Sequence, residues 1–331
     1  MSSPSLYPLN FQPIFKEKIW GGEKIRTILK KEFSPLDNCG ETWELSGVQG
    51  NISVVKNGPL KGKPLTDLIH VYQEDLLGDH VWEKFGTDFP LLVKFIDANQ
   101  DLSIQVHPNE ELAQKRHHSH GKTEMWYIFQ ADEDASLIAG FNQQLDRESY
   151  QKYFEEGRLL DILNRESVSA GDVFFLPAGR VHTIGKGLLL AEIQQTSDIT
   201  YRIYDFDRKD ADGNRRELHV EQALDAIDYD YYEEYKTPYE PKINESVELV
   251  KSPYFSTFRL EARKTIVRDY SHLKSFVILV CVGGEAQGWI EGAGKPFDMK
   301  LGDVYLIPAA LPGFRLKPRQ SCTLLEAWVP A

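Results

Sequence analysis

Apolar residues recur along this chain mostly at a spacing of two, which predicts strands, and at helical spacing in only three places. The run Pro-Leu-Leu-Val-Lys-Phe-Ile at 90–96 is almost continuously apolar and predicts a buried strand interrupted by Lys94. A lysine there either carries its head out to water or serves a buried anion. In Leu-Ser-Ile-Gln-Val-His-Pro at 102–108, Leu102, Ile104 and Val106 fall on one face and Ser103, Gln105 and His107 on the other. Further strands are predicted over 124–129, 136–141, 171–182, 187–195 and 200–204. The helical stretches are 60–85, with Gly78 as its natural break, 147–164 and 219–229. The polar run 109–122 has no strand period and reads as a solvated loop.

An acidic, aromatic segment and prolines at 238 and 241 look like a linker, so the expected domains are 1–240 and 241–331. Residues 243–331 read as short strands separated by Gly and Pro turns, the pattern of a sandwich or barrel. Within them Gly-Asp-Val-Tyr-Leu-Ile-Pro-Ala at 302–309 echoes Gly-Asp-Val-Phe-Phe-Leu-Pro-Ala at 171–178. The first copy continues to His182, whereas the second has no histidine there, which suggests a duplicated β-module that has lost its polar ligand. The second domain is therefore expected to be metal-free, with only His272 and the carboxylates Glu285 and Glu291, read as turn residues, to offer.

A net charge of −12 argues against nucleic acid or an anionic membrane as partner. An anionic substrate would then need a local cluster of cations. Three widely spaced cysteines give neither a disulfide framework nor a CxxC zinc pair. Neither a signal-peptide pattern at Met1–Pro8 nor an apolar run of spanning length is found, so a cytoplasmic location is expected.

The chemistry gathers on the 102–108 strand. Gln105 and His107, about 7 Å apart along one face, can converge on one ion with Glu124 and His182 from two other strands. Two imidazoles, a carboxylate and an amide oxygen suit Zn²⁺, with Mn²⁺ or Fe²⁺ as alternatives. His118-Ser-His120 followed by Glu124 is a competing ligand pattern, although it lies in the solvated run. Both versions share Glu124 and His182.

These segments are specific as a set. The 102–108 strand, Gly-Lys-Thr-Glu-Met-Trp-Tyr at 121–127, Leu-Pro-Ala-Gly-Arg-Val-His at 176–182 and Glu-Ile-Gln-Gln-Thr-Ser-Asp-Ile-Thr-Tyr-Arg-Ile-Tyr-Asp at 192–205 resemble, in order, the type I mannose-6-phosphate isomerases in their short bacterial form. Ile19-Trp-Gly-Gly22 and Glu41-Thr-Trp43 extend the resemblance towards the N-terminus. It implies a mainly β protein of two cupin (jelly-roll) barrels with short helical insertions. It also implies one zinc per chain, held by Gln105, His107, Glu124 and His182 rather than by His118 and His120.

By the same resemblance Arg202 serves catalysis, and Ser103, Lys94 and Arg208 hold the substrate's phosphate. Asp205-Phe-Asp207 departs from the longer enzymes, and their separate helical domain survives here only as 147–164 and 219–229. The implied reaction interconverts mannose 6-phosphate and fructose 6-phosphate through an enediolate. Arg202 would stabilise its charge, Lys122 would contact substrate oxygens, and Glu192 would be the base or else the partner of a ligand histidine. A zinc-bound hydroxide is a further candidate for the base. A monomer is expected. The competing readings are a non-catalytic sugar-binding bicupin and a metal-dependent cupin dioxygenase.

Overall fold

A computed structural model of the chain describes residues 4–210, 212–290, 295–311 and 313–331. It is mainly β, and its strands gather into two compact units that interleave along the sequence. One comprises Phe15–Thr42 and Lys94–Thr237, and the other the segment up to Ile14, Trp43–Val93 and Pro238–Ala331. The linker near 240 is thus one of several crossings rather than a single boundary. Local patterning carries no trace of this, because it rests on a long-range pairing: Leu9 lies opposite Leu306 in antiparallel strands. Among the described residues no helix is long and apolar enough to cross a membrane.

The 94–237 unit is built on two sheets. One runs Tyr201–Tyr204, Ile104–Val106, His182–Ile184, Ser136–Phe141 and Leu163–Ser167. The other contains, side by side, Leu91–Ala98, Leu188–Gln195, Glu124–Ala131 and Val173–Leu176. Leu137, Ala139 and Ile184 of the first sheet pack with Trp126, Ile128, Phe174, Leu188 and Leu190 of the second, so an apolar core fills the space between them. The outer face of the first sheet carries Ile104, Val106, Tyr201 and Ile203. Tyr150, Leu159, Ile162, Ala223 and Leu224 of the inserted helical segments cover it. Covering that face from outside leaves the alternate positions, Gln105 among them, to point inward.

The helices differ in detail from their sequence signals. The 60–85 stretch forms Leu65–Leu77 and Asp79–Phe85, parted at Gly78. The 147–164 stretch forms a helix at Arg147–Glu155 and a 3₁₀ turn at Leu159–Ile162, and the last insert is Val220–Ala226. The run read as a loop contains a helix, Glu110–His117. The regular strand of the ligand segment is only Ile104–Val106, and Leu102 packs between the sheets instead of beside Ile104.

The echoed motif adopts one geometry in both units. Gly171 and Gly302 have φ of 92° and 87°, a region open to glycine. Asp172 Oδ2 accepts from Ser169 N and Asp303 Oδ2 from Lys300 N, each at 2.9 Å. The strands that follow pair Phe174 with Trp126 and Tyr305 with Leu279. This register equates Glu124 with Val277, since they face Leu176 and Ile307. It equates Glu192 with Glu326, which face Trp126 and Leu279.

The 238–331 unit therefore has valine where the other has its metal-seeking carboxylate, yet it keeps a buried glutamate. Glu326 accepts from Arg268 at 2.7 and 3.0 Å, from Ser246 at 2.6 Å and from Tyr270. Its histidine, His272, is exposed. Glu285, read as a turn residue, is an exposed strand position opposite Lys300, and Glu291 lies outside the described residues.

Candidate metal centre

Among the described residues, one group of histidine, cysteine and carboxylate donors converges closely: His107, Glu124 and His182, whose ligand atoms all lie within 4.8 Å of one another. The two sheets supply them from opposite sides. His182 is paired with Gln105 across the first sheet, and both side chains lie on its inner face. Glu124 enters from the second sheet, two residues before the core residue Trp126.

Each ring is held by its other nitrogen. His107 Nδ1 is 2.9 Å from Ile199 O and His182 Nδ1 is 2.8 Å from Arg180 O. A carbonyl only accepts, so Nδ1 carries the proton in both rings and Nε2 is left with its lone pair. Burial, reinforced by nearby positive charge, holds His107 well below the usual histidine range. Burial also brings His182 down to about 4.

His107 Nε2 lies 3.5 Å from Glu124 Oε2, and His182 Nε2 lies 3.4 Å from Glu124 Oε1. A tetrahedral ion with bonds of 2.0–2.1 Å separates its ligand atoms by about 3.4 Å, so the set fits Zn²⁺. Glu124 is fully buried and neither oxygen has a hydrogen-bond donor. The Lys122 ammonium approaches Oε2 to 2.8 Å without hydrogen-bond geometry and lies 2.9 Å from His107 Nε2. These donors already draw positive charge. Gln105 Nε2 is 3.3 Å from His182 Nε2, and a half-turn of the amide would present its oxygen instead.

Burial, aided by the Glu192 carboxylate and opposed by Lys122, pushes Glu124 up to about 7. Zinc uptake by metal-free protein should therefore weaken about tenfold per pH unit below 7, as one proton competes for this carboxylate. Competition with a chelator of known affinity across pH 5–8 checks it, and a pH-independent affinity would contradict it.

Glu192 and Lys94 form a second buried layer. Glu192 Oε1 accepts from Lys94 at 3.0 Å and Oε2 from Trp126 Nε1 at 2.9 Å. Burial alone would raise this carboxyl, but Lys94 and Lys122 outweigh it and bring Glu192 to about 2. Glu192 is thus not the partner of either histidine, whose second nitrogens go to carbonyls. Lys94 does not emerge to water: it is buried and serves an anion, and that anion is Glu192.

Arg202 sits opposite Gln105 in the neighbouring strand, on the same face. Its Nη1 donates to Glu217 O at 2.7 Å, while its buried Nε has no partner. Ser103 is buried with Oγ 3.4 Å from Gln105 Oε1. Arg208 donates to Asp101 O, before strand Ile104–Val106, and to Asp205, just after strand Tyr201–Tyr204. His118 is exposed at the helix C-cap, and His120 is bound to Glu110 at 3.0 Å, so neither joins the donors.

Sequence reasoning missed two features. Glu110 takes His120 on one oxygen, and Gly121 N and Gln195 Nε2 on the other, tying down the turn that carries Lys122. Arg216, in an irregular loop, reaches Asp205 beside Arg208. No periodicity marks either one.

The model of the phosphomannose isomerase type I catalytic domain matches residues 9–134. Mannose-6-phosphate isomerase ManA of Bacillus subtilis (strain 168) is 37% identical over 95% of this chain and 97% of its own. The crystal structure of a mannose 6-phosphate isomerase from Bacillus subtilis superposes with a TM-score of 0.86 at 33% identity, covering 97% of this chain and 99% of that one. A zinc-bound mannose 6-phosphate isomerase structure has the same fold, with a TM-score of 0.78 at 15% identity over 98% of this chain and 100% of that one.

Proposed function

The chain belongs to the type I phosphomannose isomerases, and from that premise we propose how its own residues carry the reaction. It is an aldose–ketose isomerase that interconverts mannose 6-phosphate and fructose 6-phosphate. One zinc ion per chain is held by His107, Glu124 and His182 with Gln105 as the fourth ligand. The observation that carries this is the convergence of the fully buried Glu124 carboxylate with two imidazole Nε2 atoms, 3.4 and 3.5 Å from its oxygens.

Isomerisation requires a proton to leave a carbon beside a carbonyl, and the obstacle is the weak acidity of that carbon. A bound zinc supplies Lewis-acid polarisation of the substrate oxygens, which raises the acidity. Arg202 meets the negative charge that develops on the two adjacent oxygens of the enediolate. Its planar fork suits that pair, and it needs no proton of its own.

Glu192 fits the base less well than the sequence suggested. A carboxylate near 2 with both oxygens accepting hydrogen bonds has little tendency to take a proton from carbon. Its work is to hold Lys94 and Trp126 under the site. Lys122, beside two of the donors and tied down through Gly121, is then the side chain placed to contact the reacting oxygens and donate to them.

Ser103 and Arg208 take the phosphate at the far end of the ligand strand. Lys94, already paired with Glu192, acts there only through the field of its charge. All these residues come from one chain, so a monomer suffices. A sugar phosphate carries charge that keeps it from crossing a bilayer, which places the enzyme in the cytoplasm with its substrate.

The test is an assay of mannose 6-phosphate conversion before and after chelation, with metal content measured alongside. Activity should vanish with the metal and return on adding zinc. Full turnover in demonstrably metal-free protein would overturn the zinc assignment.

A further inference from the structure

Asp205 is one carboxylate with two guanidinium partners and a third close by. Arg208 donates to Oδ1 through Nη2 at 2.6 Å, and Arg216 donates to Oδ2 through Nε at 2.7 Å and to Oδ1 through Nη2. Burial, and then the charges of Arg216 and Arg208, lower the basicity of Arg202. Among the described residues, the other acids nearby make no ion pair with this group: Asp101, whose backbone oxygen takes Arg208, gives its carboxylate to Lys186 N. Glu217 turns a side chain 83% exposed to solvent, and Asp207 pairs on the surface with Arg215. Three guanidinium ions against one carboxylate leave two positive charges in excess.

Such a cluster is costly unless an anion of matching charge joins it, and a phosphate monoester carries about −1.5 to −2 at neutral pH. A bidentate contact uses Nε and one terminal nitrogen of Arg216 and leaves the other terminal nitrogen for a second anion. Position agrees with charge. Arg208 is anchored on Asp101 O, in the segment that leads through Ser103 and Gln105 to His107.

We infer that Arg216 is a further phosphate-binding residue, and that Asp205 is the positioning carboxylate that presents Arg208 and Arg216 together to the substrate's 6-phosphate. The inference rests on the isomerase reading and adds to it a residue and the group that orients it.

The test compares Arg216→Gln with Arg215→Gln in steady-state isomerisation, with inorganic phosphate as a competitive probe. Arg215 is one residue away, 64% exposed and paired with Asp207, so its removal changes the charge equally without touching Asp205. In Arg216→Gln, KM for mannose 6-phosphate and the inhibition constant of phosphate should rise together, by roughly ten- to a hundredfold. The value of kcat should fall far less, and Arg215→Gln should shift neither constant by more than about twofold.

Unchanged constants in Arg216→Gln, or equal shifts in the two variants, would overturn the inference. If Arg216→Gln does not fold, Arg216→Lys is read in its place. It keeps the charge but loses the fork, so KM should rise several-fold, and an unchanged KM counts against the claim. Failure of the isomerase reading looks different: wild-type protein would leave mannose 6-phosphate unconverted.

Discussion

His182→Ala should strip the metal and lower isomerase turnover by on the order of a thousandfold or more, while the protein stays folded. His182 supplies one of two imidazole lone pairs, and with it gone the remaining donors are His107, Glu124 and a neutral amide, a weak set for Zn²⁺. Polarisation of the substrate oxygens is worth several kilocalories per mole, and about 4 kcal/mol corresponds to a thousandfold in rate. The fold should survive because the core between the sheets, built on Trp126, Phe174, Leu188 and Leu190, is complete without a metal. Metal content per chain, turnover and circular dichroism check the three parts. His118→Asn is the matched control, since His118 is exposed at a helix end, and it should keep both metal and activity. A His182→Ala protein that retained stoichiometric zinc would show that the wrong donors have been identified.

Arg202→Lys should lower kcat by about a hundredfold and leave metal content unchanged. Lysine preserves the positive charge but cannot place two parallel N–H groups on neighbouring oxygens. The effect belongs in kcat because the charge on those oxygens exists only once the proton has left carbon. Arg202 is also well placed for this by its backbone: its N–H donates to His219 Nδ1 at 3.2 Å and its carbonyl accepts from His219 N at 2.7 Å. Normal kcat with a raised KM would make Arg202 a phosphate ligand and shift the charge stabilisation to Lys122.

The ligand strand was legible because its alternation is unusual: Ile104 and Val106 need an apolar cover, and Gln105 and His107 do not belong on a solvated face. The same period that placed Ser103 correctly misplaced Leu102, since regular pairing begins only at Ile104. Lys94 was undecidable from its own strand, because the deciding charge, Glu192, lies 98 residues away. Helix Glu110–His117 went unread because it is polar all round. Its signals were at its ends: Asn109 caps Leu112 N, acids fill the first turn and bases the last. Glu192 was singled out by its neighbourhood, but its two hydrogen bonds, from Lys94 and Trp126, had no local signal. Arg216 had no local signal at all.

The interleaving of the two units bears on how the chain is made. Every segment of the 94–237 unit has been synthesised once the chain reaches residue 237. The other unit must wait: Asn10 Nδ2 bonds Val304 O across 294 positions, so one edge of its opening strand stays open until the chain is nearly finished, although residues 54–56 pair early with the other edge. At usual rates of synthesis, residues 238–331 take roughly five to twenty seconds. During that interval the nascent protein can already assemble the pocket of His107, Glu124 and His182, while the strand at Leu9–Asn10 has one edge without its sheet neighbour. Vectorial synthesis thus favours the metal-binding half. It leaves the N-terminal strand, rather than the active centre, as the part of the molecule most open to mispairing and to proteases.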